Sequence, residues 1–293
     1  MHLIHVLPAV LAAAGFALAS SAAAQSSSAP ESCNLSAASG VAAQQLSSGG
    51  RQRGYRLFVP PSYDGRTPLP LVLDLHGSGG TSEGQARTSR FEALAAEKGF
   101  LVATLEADEG RRWNVPVTDE RADDVQYVSD VIDHVAARVC TDLVRIYATG
   151  FSGGARMSSL LACRLGHRIA AIAPMAGLRW PGPCEGRAVP VLSFHGLADE
   201  LNTYDGNAEG RSAEWLESVP DALAGWAAHN GCDPDAVFED EPGPLSTLRY
   251  EGCDDGAEVR LVRIDGLGHT WARDEVDATA EMWAFFEQHA LRQ

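Results

Sequence analysis

The stretch at residues 144–154 constrains the fold more than any other part of the chain. It opens with apolar and β-branched residues, which predict a buried strand, and it then turns at Gly150-Phe151-Ser152-Gly153. A helix is predicted at about residues 155–165. A serine between glycines at a strand-to-helix turn is typical of a nucleophile elbow, in which the serine hydroxyl stands above the edge of a sheet.

Steric constraints explain why glycines flank this turn. Side chains at Gly150 or Gly154 would meet the neighbouring strand and helix, and the sharp turn holds its serine in a strained backbone. The N-terminus of the following helix brings partial positive charge to the point where an oxyanion would develop beside Ser152. The bare motif also arises by chance in a chain with 29 glycines, so a serine in a glycine-rich loop is the alternative.

The overall composition favours one globular domain with an acidic surface. The chain has 293 residues, of which 45% are hydrophobic and 21% are charged, and its net charge is -16. A single α/β domain of about 250 residues fits this length. The negative charge argues against nucleic acid or an anionic membrane surface as a partner, but it does not identify a substrate.

Residues 1–24 have the features of a secretory signal peptide. An apolar run covers residues 3–18 and Ala22-Ala23-Ala24 offers a cleavage site, although no Lys or Arg precedes the run. We therefore expect a secreted protein, either extracellular or periplasmic. Residues 25–50 are rich in Ser, Ala, Gly and Gln, which predicts a flexible lead-in, and residues 51–293 are predicted to form one catalytic domain.

All six cysteines follow the proposed cleavage site. An even number of cysteines in an exported chain predicts up to three disulfides, although the sequence does not choose among the possible pairings. The one pairing suggested here is Cys232 with Cys253, because these residues enclose a short polar excursion. The sequence contains no C-x-x-C and no clustered His/Cys spacing, so we expect no metal site, and no cofactor is implied.

From residue 69 onward, predicted strands and helices alternate. This alternation predicts an α/β fold with a mostly parallel, doubly wound sheet and helices on both faces. The candidate polar residues follow the strands, at the carboxyl ends where open α/β sheets place their sites. Strands are predicted at residues 55–59, 69–75, 100–105, 144–149, 169–175, 189–194 and 258–264, and helices at about 89–98, 124–139, 155–165, 220–230 and 278–291.

Acyl transfer by a serine needs a base, a group that orients the base, and donors for the oxyanion. Ser152, Asp199 and His269 each follow a predicted strand, in the order Ser, acid, His expected of an α/β hydrolase. Three such placements in the right order are stronger evidence than any one of them. Glu200 or Asp205 could be the acid in place of Asp199, and His269 could be a loop histidine bonded to the backbone.

Two further features accompany this predicted triad. His195 competes as the base, but it precedes the acid at a strand end, and we interpret it as a structural histidine that braces the turn. The glycine-rich loop at residues 76–80 is expected to supply one oxyanion N–H, from Ser78 or alternatively Gly77, and Gly153 is expected to supply the other. The alternative for this loop is a flexible turn. It lacks the lysine and the spacing of a phosphate-binding P-loop.

Aromatic residues in neighbouring loops are candidates for substrate contact. We predict that Trp113, Tyr204 and Trp271 bind substrate, and Trp180 is a further candidate for the wall of a pocket. Taken individually, each of them is more often a packing residue than a substrate contact. Three other tryptophans fall on predicted helices and are expected in the core, namely Trp215, Trp226 and Trp283.

In combination, these motifs resemble the secreted esterase family that groups feruloyl esterases with polyhydroxybutyrate-depolymerase-like proteins. The resemblance spans about residues 50–290. In this family the triad is formed by the serine of G-x-S-x-G, the Asp of H-G-x-x-D and the His of G-x-G-H-x-W, which implies Ser152, Asp199 and His269. The segments that carry the resemblance are Arg56-Leu57-Phe58-Val59-Pro60, Pro70-Leu71-Val72-Leu73-Asp74-Leu75-His76-Gly77, Tyr147-Ala148-Thr149-Gly150-Phe151-Ser152-Gly153-Gly154, Phe194-His195-Gly196-Leu197-Ala198-Asp199, Trp226-Ala227-Ala228-His229-Asn230-Gly231-Cys232 and Gly266-Leu267-Gly268-His269-Thr270-Trp271.

Three positions depart from the family pattern. Gly153 stands where the family often carries Asn, and Thr203 and Ala272 stand where Pro is usual. None of these changes removes a catalytic group. They do leave undecided which substrate the pocket takes, a feruloyl ester or a polyester.

The resemblance and the triad together predict a secreted serine carboxylic ester hydrolase that forms an acyl-enzyme. Its expected substrates are feruloyl esters of plant cell-wall polysaccharide, so its partner is an ester linked to a polymer. The alternative substrate is poly(3-hydroxybutyrate) or its oligomers. A serine peptidase and a non-catalytic binding protein that kept the fold are more distant alternatives. The sequence implies no oligomeric state.

Overall fold

The predicted alternation of strands and helices is present in the structure, a computed structural model that describes residues 33–108, 111–206, 217–240 and 243–292. The strands are β1 (Gly40–Ser48), β2 (Arg51–Val59), β3 (Leu69–Leu75), β4 (Leu101–Leu105), β5 (Thr141–Phe151), β6 (Ala171–Met175), β7 (Val191–Gly196), β8 (Val237–Asp240), β9 (Leu245–Tyr250) and β10 (Val259–Ile264). The helices are α1 (Ser82–Ser89), α2 (Phe91–Lys98), α3 (Asp124–Ala136), α4 (Gly153–Arg164), α5 (Val219–His229) and α6 (Ala278–Phe286), with a short 3-10 turn at Asp254–Gly256.

The ten strands form one sheet in the order β1-β2-β4-β3-β5-β6-β7-β10-β9-β8. The central strands, from β4 to β10 in this order, run parallel. β1 and β2 at one edge and β9 and β8 at the other pair antiparallel. The predicted mostly parallel α/β sheet is therefore confirmed, and the carboxyl ends of its parallel strands meet at one edge.

Helices cover both faces of the sheet. Alternate residues of β3 divide between two hydrophobic clusters: Leu71 and Leu73 pack in a cluster with residues of α3, α4 and α5, whereas Val72 packs in a second cluster with residues of α2 and α6. This period of two is expected of a strand that is buried on both sides. Leu71, Val72 and Leu73 are all fully buried.

Several helix ends follow the capping signals in the sequence. Asp123 caps α3 by accepting a hydrogen bond from the Gln126 amide at 2.9 Å. Gly99 ends α2 in the left-handed conformation, with φ 81. Pro220 lies in the first turn of α5, where the missing N–H of proline costs no hydrogen bond.

The predicted flexible lead-in is wrong over its second half. Residues 40–48 form β1, which pairs with β2 from Gly40 opposite Val59 to Ser48 opposite Arg51. This strand is hard to recognise from its composition because few of its side chains enter the core. Among residues 40–48, only Leu46 and Ser48 are buried. The predicted signal peptide lies outside the described residues.

Other elements also differ from the sequence predictions. The sequence predicts one helix at 89–98, whereas α1 and α2 are separated by Arg90 in the left-handed conformation, with φ 58. The hairpin of β8 and β9 is not predicted, because its strands are short and largely solvent-accessible. α6 ends at Phe286 and not near residue 291. Trp226 and Trp283 lie in the core as predicted, and Trp215 lies outside the described residues.

Three disulfides join Cys33 to Cys140, Cys163 to Cys184 and Cys232 to Cys253. The suggested pairing of Cys232 with Cys253 is therefore confirmed. Within the described ranges, no helix has the length and apolar character needed to cross a membrane. The same ranges contain no cluster of His, Cys, Asp or Glu side chains that could hold a metal ion.

Candidate active site

Ser152 forms the turn between β5 and α4. Its φ of 54 and ψ of -112 lie in a region that is costly for any residue other than glycine. Two backbone hydrogen bonds hold this conformation: the Ser152 amide donates to the Met175 carbonyl at 3.0 Å, and the Ser152 carbonyl accepts from the Arg156 amide at 3.0 Å. The strained turn places Ser152 at the N-terminal end of α4, where the helix amides are unpaired.

Close backbone packing explains the glycines around the turn. A Cβ atom on Gly150 or on Gly154 would collide with the carbonyl oxygen of Leu75, the last residue of β3. The start of α4 therefore packs directly against the end of β3. As a result, the glycine-rich loop that follows β3 lies beside Ser152.

Asp199 and His269 are brought together by the loops that follow β7 and β10. His269 Nδ1 donates to Asp199 Oδ2 at 2.7 Å. The other carboxylate oxygen of Asp199 accepts from the amides of Leu201 at 2.9 Å and Asn202 at 2.8 Å. Asp199 is only 3% exposed, so these bonds fix its orientation in a protected position.

The surroundings of Asp199 keep its carboxyl group ionised. Burial alone would raise the pKa of Asp199, but the hydrogen bonds from His269 and the Asn202 amide, with the nearby imidazoles, hold it below its usual range. A carboxylate that accepts from Nδ1–H fixes the histidine tautomer and leaves Nε2 as a proton acceptor.

The His269 ring lies against the elbow. Its centroid is 4.8 Å from that of Phe151, the residue before the serine. No hydrogen bond joins the Ser152 hydroxyl to His269 among the described residues. Such contacts are often long in an unliganded enzyme and tighten when substrate binds. The structure therefore brings the predicted serine, histidine and acid to one place.

His195 has a different role from His269. Its side chain is fully buried, and its Nε2–H donates to the Asn202 carbonyl at 2.7 Å, within the turn that carries Asp199. Burial lowers the pKa of His195. This is the bracing contact predicted from the sequence. Of the three acids considered, it is Asp199, and neither Glu200 nor Asp205, that contacts His269.

Ser78 and Gly153 are adjacent, as an oxyanion hole requires. A Cβ atom built on Gly153 would lie 3.0 Å from the Ser78 amide nitrogen and closer still to its hydroxyl oxygen. Gly77, the competing donor, instead lies beside Phe151 and the Cβ of Ser152. Both candidate residues of this loop therefore lie beside the elbow, and the amides of Ser78 and Gly153 as the pair of oxyanion donors stay a prediction.

The loop that carries Ser78 is anchored from behind. His76 is 1% exposed; its Nε2 accepts from the Ala107 amide at 3.0 Å, and its Nδ1–H donates to the Gly77 carbonyl at 2.8 Å. Burial lowers the pKa of His76, which keeps the imidazole neutral and able to accept that hydrogen bond. The Gly79 amide donates to the Arg111 carbonyl at 2.8 Å.

Of the three aromatic residues predicted to bind substrate, Trp113 and Trp271 are buried. Trp113 is 3% exposed, and its indole N–H donates to the His76 carbonyl at 2.8 Å, so it supports the loop from the core. Trp271 is 4% exposed and donates to the Thr279 hydroxyl at 3.0 Å. Tyr204 is half-buried, with Arg263 over its ring. The structure corrects the prediction for both tryptophans, because buried rings cannot contact substrate in this conformation.

An open cavity of about 460 Å³ lies alongside α4. Arg156, one helical turn from Ser152, contributes to its wall. Trp180, which the sequence suggested as a further candidate for a pocket wall, contributes an aromatic ring to the lining. The lining residues are Val115, Pro116, Val117, Arg156, Leu160, Arg164, Arg179, Trp180, Pro181 and Glu217.

The chain is similar to known proteins over most of its length. Residues 53–193 match the family model described as Esterase PHB depolymerase. A probable feruloyl esterase C from Aspergillus flavus is 30% identical over 247 residues, covering 80% of this chain and 83% of that protein. Feruloyl esterase B from Piromyces equi is 30% identical over 245 residues, covering 79% of this chain; the chain spans only 44% of that longer relative.

Solved structures support the fold assignment. The structure matches an acetyl xylan esterase from Aspergillus awamori with a TM-score of 0.62, over 84% of this chain and 99% of the other, at 16% sequence identity. The sheet order and this likeness together show an α/β-hydrolase fold.

Proposed function

Because the chain belongs to the esterase family that groups feruloyl esterases with polyhydroxybutyrate-depolymerase-like proteins, we propose that it is a feruloyl esterase acting on esters of plant cell-wall polysaccharide. Membership of this family makes it a serine carboxylic ester hydrolase. The observation that carries the proposed mechanism is the 2.7 Å hydrogen bond from His269 to Asp199 beside the strained Ser152.

In the proposed reaction, the Ser152 hydroxyl attacks the ester carbonyl while His269 accepts its proton. Asp199 orients the imidazole and compensates its positive charge. The amides of Ser78 and Gly153 stabilise the oxyanion, each by about 3 kcal/mol. His269 then gives the proton to the leaving alcohol, which departs and leaves an acyl-enzyme. Water, activated by the same histidine, releases the acid and regenerates the serine.

The cavity along α4 is the proposed site of the aromatic acyl group. Its volume of about 460 Å³ lies in the range of small-molecule sites. Val115, Pro116 and Leu160 supply apolar wall, and Trp180 supplies a flat aromatic face on which a phenolic ring can stack. Arg156 in this wall lies one turn of α4 after Ser152, and in the proposal the ester carbonyl sits at the end of the cavity nearest the serine.

Secretion is part of the proposal. Three disulfides are typical of proteins that fold in an oxidising compartment. The signal-like sequence at residues 1–24 provides a route to that compartment.

A second candidate function is hydrolysis of poly(3-hydroxybutyrate) or its oligomers. The observation that favours it is the matching family model, which is described as Esterase PHB depolymerase. The same triad and oxyanion donors would serve either substrate, so the difference lies in the acyl pocket.

Paired hydrolysis by the purified protein separates these candidates. We expect release of ferulate from methyl ferulate to exceed release of acid from a 3-hydroxybutyrate oligomer, and Ser152→Ala to abolish it. Trp180→Ala should raise KM for methyl ferulate several-fold and leave methyl acetate hydrolysis nearly unchanged, because acetate does not fill the cavity. A preference for the oligomer, or equal effects of Trp180→Ala on both esters, would contradict the feruloyl assignment.

A further inference from the structure

Behind the site, a buried chain of hydrogen bonds joins the loop of His269 to β3. The Trp271 indole N–H donates to the Thr279 hydroxyl at 3.0 Å, and that hydroxyl donates to the Ser89 carbonyl at 2.5 Å. The Ser89 hydroxyl donates in turn to Asp74 Oδ2 at 2.5 Å. None of these four side chains belongs to the predicted triad, and none is more than 7% exposed.

The groups in this chain are matched as donors and acceptors. The Thr279 hydroxyl uses both capacities, since it accepts from Trp271 and donates to Ser89. Asp74 also accepts from the Gln85 side chain at 2.7 Å. Breaking any of these buried hydrogen bonds costs free energy, because the group that loses its partner cannot form a hydrogen bond to water instead.

His269 lies between two anchor points of its loop. On its N-terminal side, the Leu267 carbonyl accepts from the Ala198 amide at 3.0 Å, which ties the loop to the residue before the acid. On its C-terminal side, Trp271 is held by its bond to Thr279, and its ring packs edge-to-face on Phe91 at 6.4 Å. Only one residue separates His269 from that second anchor.

The same loop is tied down once more beyond the tryptophan. The Arg273 guanidinium donates to the carbonyl of Arg87 at 3.1 Å, and also to the carbonyl of Thr88, at the end of α1. The loop that carries the predicted base is therefore attached to α1 and α6, and not only to the sheet.

We propose that Trp271 and Thr279 are positioning residues of the esterase reaction, which hold the His269 loop so that its imidazole faces Ser152. The proposal rests on the proposed function, because positioning of His269 matters only if it acts as the base. In this proposal neither residue touches substrate, because both side chains are buried. A displacement of a catalytic group by about 1 Å can lower the rate roughly 100-fold, so a loosened anchor has a kinetic effect larger than its effect on stability.

The test compares isosteric variants by steady-state hydrolysis of 4-nitrophenyl acetate, well below the melting temperature of each variant. Thr279→Val keeps the shape and removes the hydroxyl, and it should lower kcat at least tenfold with KM within about twofold of wild type. Thr279→Ser restores a hydroxyl and should recover most of the lost kcat. The rate of Ser152 modification by a fluorophosphonate should fall in parallel with kcat.

Trp271→Phe and Trp283→Phe form a matched pair. Trp283 lies on α6, is 7% exposed, stacks on Phe100 at 3.8 Å, and its indole N–H has no hydrogen-bond partner among the described residues. Trp271→Phe should lower kcat as Thr279→Val does, whereas Trp283→Phe should lower only the melting temperature.

Wild-type kcat in Thr279→Val, or an equal loss of kcat in both Trp→Phe variants, would overturn the positioning role while leaving the esterase function intact. A wild-type protein inert to both 4-nitrophenyl acetate and the fluorophosphonate would instead overturn the esterase function, and the positioning role with it.

Discussion

At the scale of single residues, the site depends on backbone positions that few side chains tolerate. Ser152 keeps a positive φ because hydrogen bonds on both sides of it fix the turn. Gly153 has no room for a side chain, since a Cβ atom there would meet the amide and the hydroxyl of Ser78. This contact gives a reason for glycine at position 153 in this chain, because Ser78 occupies the space.

Gly153→Ala should therefore impair the oxyanion hole. The added methyl group must push Ser78 away, so one donor no longer points at the oxyanion, and we expect kcat to fall about 10- to 1000-fold with little change in KM. Gly54→Ala is the control, because a Cβ atom there meets only the Gln44 carbonyl at an ordinary 3.6 Å. The measurement is kcat and KM of both variants for one soluble ester. Equal kcat values for both variants would argue against Gly153 as a donor site.

The residues that follow strands could be predicted from the sequence because each has a local signal. Ser152 lies in a motif with a steric logic, and Asp199 and His269 follow apolar runs in an order that one fold explains. The roles of Trp113 and Trp271 could not be predicted in this way. Both lie in loops, and only the tertiary structure shows that their rings are buried and their indole N–H groups are used internally.

At the scale of elements, β3 connects the site to the core. Its residues alternate between the two hydrophobic clusters, yet Asp74 is a fully buried carboxyl group near its end. Burial raises the pKa of Asp74 to about 7, although the hydrogen bonds from Ser89 and Gln85 partly oppose the shift. An element that carries an uncharged acid in its interior makes stability depend on pH.

Asp74→Asn tests this dependence. In the wild type, Asp74 is protonated in both states at low pH; as pH rises from about 4 to about 7, the unfolded chain loses the proton while the folded chain retains it. The contribution of Asp74 to the free energy of unfolding therefore falls as pH rises through this window. Relative to wild type, Asp74→Asn should become progressively more stable from about pH 4 to about pH 7, as measured by urea unfolding. A stability difference that is independent of pH would contradict the buried neutral acid.

The central strands could be predicted because each is an apolar run, a signal that is visible in the sequence without knowing which strand it pairs with. β1 was not, since its Ala, Gln and Ser residues become a strand only by pairing with β2. α1 was missed for a similar reason: its side chains are mostly polar. The cap at Thr81, which accepts from the Gly84 amide at 3.0 Å, and Glu83 in the first turn are local signals for its start.

At the scale of the whole molecule, three covalent links supplement the core. Cys33 and Cys140 are separated by 107 positions, so their disulfide joins the segment before β1 to the start of β5. The other two disulfides each span 21 positions and close local loops. In the chain-entropy account, a longer loop restricts the unfolded state more and stabilises the folded state more.

Reduction should accordingly lower the melting temperature, and the disulfides should differ in their effects. Replacing both Cys33 and Cys140 by Ala should lower the free energy of unfolding by roughly 1 kcal/mol more than replacing Cys163 and Cys184. Removal of Cys232 and Cys253, which span the same 21 positions as Cys163 and Cys184, is the matched control. An unchanged melting temperature in excess reductant would contradict a structural role for these bonds.

The most direct measurement of the central claim, that Ser152 is a nucleophile activated by His269 and Asp199, is the site and rate of labelling by a fluorophosphonate. Peptide mass spectrometry of the labelled protein should place a single adduct on Ser152, and Ser152→Ala should remain folded and unlabelled. His269→Asn and Asp199→Asn should slow labelling by about 1000-fold or more, because the serine loses its base or the orientation of that base. An adduct on another residue, or labelling of Ser152 at the wild-type rate in both variants, would contradict the account.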